Sequence, residues 1–168
     1  AKGLLGVGVF QQDCGPACAP GAIPGTYYTC PRAGCQATQA GLAQQVQNPI
    51  GLFPVDNNGV IIALPSVSAI GAPSVRGSMI FGIGTQGNNG LGNARVMPVD
   101  PGTATFTTLF KSVNYNNSFI DSGSNALFFF DSTIPPCSGS LADFDCPPFT
   151  QNLSATNLGT SGPANTVS

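Results

Sequence analysis

The apolar positions of this chain come in short runs, and turn-forming residues separate the runs. "GVIIALPSV" at 59–67 follows "DNNG", "GSMIFGIG" at 77–84 precedes "TQGNNGLGN", "ARVMPV" at 94–99 precedes "DPGT", and "ATFTTLF" fills 104–110. Two more runs, "SFID" at 118–121 and "ALFFF" at 126–130, flank a small polar interruption. Runs of this length, rich in β-branched and aromatic residues and bounded by Gly, Pro, Asn and Asp, predict strands. The glycine-rich apolar start, "AKGLLGVGVF" at 1–10, predicts a buried strand leading into a close-packed turn. Helical character is confined to "ATQAGLAQQVQ" at 37–47, where Leu42 and Val46 are four apart and Asn48-Pro49 ends the segment. A short helix is placed at 40–47.

The expectation is a mainly β chain with one short helix, built as one domain over 1–168 with no repeat of fixed period. Within it, 11–36 form a cysteine-rich loop, 37–131 the main β region, and 132–168 a second cysteine loop with a flexible tail. That tail, "TQNLSATNLGTSGPANTVS", has almost no large apolar residue after Leu158.

Charge narrows the possible partners. Charged residues make up 7% of the 168, against about 25% in an average soluble domain. The five basic residues stand singly in a chain of net charge -2, so nothing is present to neutralise a row of phosphates. Nucleic acid is excluded as a partner on this ground. No apolar run approaches the roughly 20 residues that span a bilayer as a helix. With neither an initiator Met nor a basic-then-apolar leader, the chain is expected to start after processing or inside a longer polypeptide.

The six cysteines fall as Cys14 with Cys18, Cys30 with Cys35, and Cys137 with Cys146, each pair set among Gly, Pro and Asp. Three local disulfides are the preferred reading, which places the chain outside the cell or in the periplasm. Other pairings remain open, as does a four-thiolate zinc site from Cys14, Cys18, Cys30 and Cys35, although its spacings are looser than a C-x2-C knuckle.

The chain has no histidine and no glutamate, so neither a Ser-His-Asp nor a Cys-His constellation can be assembled within it. "GIGTQG", with Gly82, Gly84 and Gly87, spells the dinucleotide fingerprint, but the residues after it cannot start the required helix, and a β-turn is the better reading. Asp131, Asp143 and Asp145 gather near one cysteine loop. Without the ordered spacing of a calcium loop, they read as a solvated acidic surface rather than a metal site. Asn116 in "NNS" and Asn152 in "NLS" fit the glycan acceptor rule where a host glycosylates.

One acid stands apart. Asp121, in "FIDSGSNALFFF", lies between Phe119 with Ile120 and 127–130. Asp, Ser and Gly are ordinary turn residues. An exposed turn has no need of such flanks, however, and burial next to donors from Gly and Ser would tune the carboxylate.

Here the chain resembles the pepsin-like aspartic peptidases. "FIDSGSNALFF" looks like that family's active-site loop, "GLLGVG" at 3–8 like the hydrophobic-Gly segment behind such a loop, and "GSMIFGIG" like a strand early in the second lobe. The closest overall likeness is to secreted bacterial proteins of uncharacterised role that share this core and add cysteine loops. Within one lobe of that family the Asp loop comes first and the glycine segment follows it, whereas here the glycine segment leads and the Asp loop comes more than a hundred residues later. The resemblance therefore implies a β-barrel-type middle fragment straddling two lobes, with 1–10 closing the first. It further implies that Asp121 shares a proton with a second aspartate supplied by a missing lobe or partner chain. Gly123 and Ser124 would hydrogen-bond the carboxylate, and Ser122 would reach across to the other lobe. The implied reaction is hydrolysis of a peptide substrate without metal or cofactor. The alternative is a non-catalytic extracellular module, adhesive or self-assembling, that keeps the fold.

Overall fold

The computed structural model describes residues 7–68, 70–124 and 127–168. It is mainly β, its sheets are open, and its helical segments are single 3₁₀ turns. The chain divides into two compact units, Ala1–Ala94 and Arg95–Ser168. Most of the segment that resembles the hydrophobic-Gly motif, 3–8, lies outside the described residues. The described part of the expected first strand, 7–10, forms no strand, and Val9 and Phe10 are exposed.

In the first unit, the cysteine-rich stretch contains a small hairpin, β1 (Tyr28–Thr29) with β2 (Gln36–Ala37). The helix expected at 40–47 is reduced to one turn, Leu42–Gln44, and Gln45 is already extended. Leu42 and Val46 stay exposed, so no apolar face rewards helix formation, and a helix this short does not stand alone. Gln45 instead buries its amide, donating from Nε2 to the carbonyls of Gly15 and Ala40, both at 2.8 Å. Beyond it, β3 (Val60–Ala63) pairs antiparallel with β4 (Ser78–Phe81). Phe53 meets Phe81 edge-on, with centroids 5.1 Å apart.

The second unit holds a four-stranded antiparallel sheet in the order β6-β5-β7-β8. Its centre is β5 (Phe106–Phe110), flanked by β6 (Val113–Ser118) and β7 (Ala155–Leu158), with β8 (Asn165–Val167) outermost. Alternation along β5 puts Phe106 and Phe110 on one face, where both are buried. The expected strand at 94–99 does not form: Pro98 has no N–H to give a ladder, and its carbonyl accepts from Thr160 N–H at 2.9 Å. The expected strands at 118–121 and 126–130 are also absent from the described residues, since β6 ends at Ser118. The expected flexible tail supplies β7 and β8. They are held by ladder pairing and by polar side chains, including Thr108 Oγ1 on Asn157 Oδ1 at 3.0 Å and Thr156 on Thr166 at 3.0 Å.

Candidate functional site

The β5–β6 hairpin leads directly into the Asp121 turn, because Ser118, the last residue of β6, is opposite Phe106. Ser124 N–H donates to the Asp121 carbonyl at 3.2 Å and closes the turn. The carboxylate then receives one donor on each oxygen. Gly123 N–H reaches Oδ1 and the Ser124 hydroxyl reaches Oδ2, both at 2.8 Å. The Ser124 hydroxyl first, and the Gly123 N–H second, hold this carboxyl below its ordinary value and favour the ionised form. Ser122 lies exposed in the turn.

The surroundings differ from the sequence expectation in one respect. The apolar flanks do not bury Asp121: the group is exposed, and Phe119, Ile120, Leu127 and Phe128 are themselves 68%, 77%, 89% and 83% exposed. The donors of the turn outweigh a smaller opposing effect of desolvation and set the direction in which this carboxylate is tuned. Among the described residues, its hydrogen-bond partners all come from its own turn.

All six cysteines are in the local disulfides Cys14–Cys18, Cys30–Cys35 and Cys137–Cys146. The oxidised first four leave no thiolates for the alternative zinc site. Asp131 does not share a cluster with Asp143 and Asp145. Its Oδ2 lies 2.6 Å from Lys111 Nζ, and its Oδ1 accepts from Thr133 N–H and hydroxyl at 3.1 and 2.7 Å. Lys111 first, then the Thr133 hydroxyl, hold Asp131 down to about 2. Among the described residues, no group of three or more metal-ligating side chains comes together.

The "GIGTQG" glycines lie in the turn after β4, where fully buried Asn89 organises the backbone. Its Oδ1 accepts from the N–H groups of Thr85 and Gln86 at 2.9 and 2.7 Å, and its Nδ2 donates to the Phe81 carbonyl at 3.0 Å. The Thr85 hydroxyl donates to Asp56. Gly82, at φ +79°, is required here, because a Cβ would press on Thr85, Asn89 and Asp56 at once. Sequence reasoning found this turn but missed the Asn89 network and the Lys111–Asp131 pair.

A family model described as "Protein of unknown function (DUF3443)" matches residues 1–168. The chain belongs to that family. No curated protein matches it and no solved structure matches it. Membership supplies no activity for the Asp121 turn, so the chemistry of that turn rests on the residues themselves. Among the described residues, no helix is long and apolar enough to cross a membrane.

Proposed function

We propose that the chain is part of an exported aspartic-peptidase-like protein with a pepsin-like core, in which Asp121 supplies one of two catalytic carboxylates. The observation that carries this is the pairing of the Asp121 oxygens with Gly123 N–H and the Ser124 hydroxyl, at the exit of a hairpin and open to a partner. Such a carboxylate stays ionised and can take a proton from water while a second, protonated acid polarises the peptide carbonyl. The second acid comes from another Asp loop, in a further part of the polypeptide or in a partner chain. The three disulfides fit the oxidising compartment that export implies. Peptide hydrolysis by the full-length gene product at acid pH, measured for wild type and Asp121→Asn, tests the assignment. Hydrolysis that survives the substitution removes Asp121 from the mechanism, as does a gene with no second Asp loop and a protein with no such partner.

A second reading is favoured by the exposure of Phe119, Ile120, Leu127 and Phe128. In it the chain is a non-catalytic module that uses this apolar rim for assembly. A stable oligomer that shows no hydrolysis and dissociates on Phe128→Ser supports that reading over the first.

A further inference from the structure

We propose that Lys111 and Asp131 form a clasp that positions the Asp121 turn, and that this task explains the lysine's place in the β5–β6 hairpin. The proposal deepens the peptidase reading, but its test requires no turnover.

The hairpin itself supplies the first observation. Phe110 pairs with Val113, so Lys111 and Ser112 alone make the connection, with φ +47° and +65°. Both central residues of such a two-residue turn are in the left-handed region, where Asn and Gly are at ease and Lys is not. A residue that breaks a local rule at a strained position is accounted for by what its side chain does.

The lysine side chain turns to the segment returning from the Asp121 turn. Its ammonium contacts Asp131 Oδ2 at 2.6 Å and Thr133 Oγ1 at 3.0 Å, and lies 5.7 Å from the centroid of the Phe110 ring. The Asp131 side chain is 3% exposed, so its charge depends on this partner. Phe129 stacks edge-on against Phe110 with centroids 5.6 Å apart, Ile134 is buried, and Ile134 N–H donates to the Asp131 carbonyl at 3.1 Å.

The chain thus leaves the hairpin at Ser118, opposite Phe106, and returns to its other end at Lys111. Between these two attachments, the hydrogen bonds of the described residues are internal to the Asp121 turn. Without the clasp, the returning segment keeps only the Phe129–Phe110 ring contact, and the carboxylate turn has no polar attachment beyond β6.

Lys111→Asn separates this role from a purely local one, because Asn suits the turn and cannot reach Asp131. Amide exchange and the carbon NMR titration of the Asp121 carboxyl are measured for wild type, Lys111→Asn, Lys111→Arg and Asp131→Asn. In Lys111→Asn, the amides of Thr133 and Ile134, which donate to the Asp131 carboxylate and carbonyl, are expected to exchange about tenfold faster while the β5 amides keep their protection. The Asp121 titration moves up toward that of an ordinary carboxyl, and Lys111→Arg restores both readouts. Unchanged exchange and titration in Lys111→Asn overturn the proposal, as does a loss of protection that begins in β5. Should Asp131→Asn fail to fold, Lys111→Asn still decides. A protein whose clasp behaves as described but whose hydrolysis survives Asp121→Asn loses the peptidase assignment and keeps the clasp.

Discussion

The second unit contains two turns with nearly the same sequence logic, Asp100-Pro-Gly-Thr and Asp121-Ser-Gly-Ser, and they are used differently. At Asp100 a single oxygen, Oδ1, collects three donors: Gly102 N–H at 2.9 Å, Thr103 N–H at 2.8 Å and the Thr103 hydroxyl at 2.9 Å. The backbone closes around it, with Asp100 N–H on the Thr105 carbonyl at 2.9 Å and Ala104 N–H on the Asp100 carbonyl at 2.7 Å. Next along the chain is Phe106, buried at the centre of the sheet. Asp121 spreads two donors over two oxygens, and its apolar neighbours face outward. The first turn organises a fold, whereas the second presents a carboxylate. An Asp-x-Gly-Ser/Thr sequence alone therefore does not mark a catalytic loop.

The largest expected effect separates the two acids by chemistry. On the peptidase reading proposed above, Asp121→Asn in the full-length protein is expected to lower kcat for peptide hydrolysis about 10²- to 10⁴-fold, while Asp100→Asn leaves kcat of the folded fraction within about twofold. Equal losses in the two variants would make both turns structural. The next effect separates their neighbours by packing. Phe106→Ala is expected to cost about 3–5 kcal/mol, because it opens a hole under β5. Phe128→Ala stays within about 0.5 kcal/mol, since that ring buries little within this chain. Chemical denaturation of the two variants measures the difference, and a costly Phe128→Ala would show that the rim packs against something in the isolated protein.

The β character of the chain was legible in runs such as 60–63 and 78–81, where β-branched and aromatic residues are strand formers and flanking glycines mark the ends. The local disulfides were legible because each cysteine pair is close in sequence. β7 and β8 were not. Ala155, Thr156, Asn157, Asn165 and Thr166 carry no apolar alternation, and their order comes from ladder pairing, β7 with β5 and β8 with β7, and from hydroxyl and amide bonds that periodicity cannot show. The Asp121 turn was legible down to its two donors, but the exposure of its flanks was not, because apolar residues in sequence do not reveal what covers them. The Lys111–Asp131 pair joins residues far apart in sequence. Its one local signal was a Lys-Ser step where a hairpin turn favours Asn or Gly.

Acid titration sharpens the comparison by adding the third turn, at Asp131, where a lysine replaces part of the backbone donor set. Asp131 is held down to about 2, below the roughly 3.9 of an unfolded aspartate. A folded-state pKa that is depressed contributes stability present above the unfolded value and lost as pH falls through the folded one. Urea midpoints are therefore expected to hold above about pH 4 and to decline between about pH 4 and 2. Lys111→Met lowers the midpoint at pH 5 and makes the decline below pH 4 shallower. Parallel curves for wild type and variant would remove Lys111 as the cause of the depressed titration.

The smallest expected effect compares the two turns donor by donor. Asp100 and Asp121 are both held below the ordinary carboxyl range, with a hydroxyl as the largest cause in each: Thr103 for Asp100 and Ser124 for Asp121. Removing the hydroxyl raises both carboxyls, but to different extents. Thr103→Ala leaves Asp100 with the N–H groups of Gly102 and Thr103 on Oδ1. Ser124→Ala leaves Oδ2 of Asp121 without its donor and only the Gly123 N–H on Oδ1. Carbon NMR titration should therefore show the larger upward shift at Asp121. This ordering follows because a carboxylate with one donor per oxygen has no second donor to compensate, whereas one with three donors on a single oxygen does. An equal or larger shift at Asp100 would mean that the backbone of the Asp121 turn closes around its carboxylate in solution as tightly as the Asp100 turn does, and the structural distinction between them would fail.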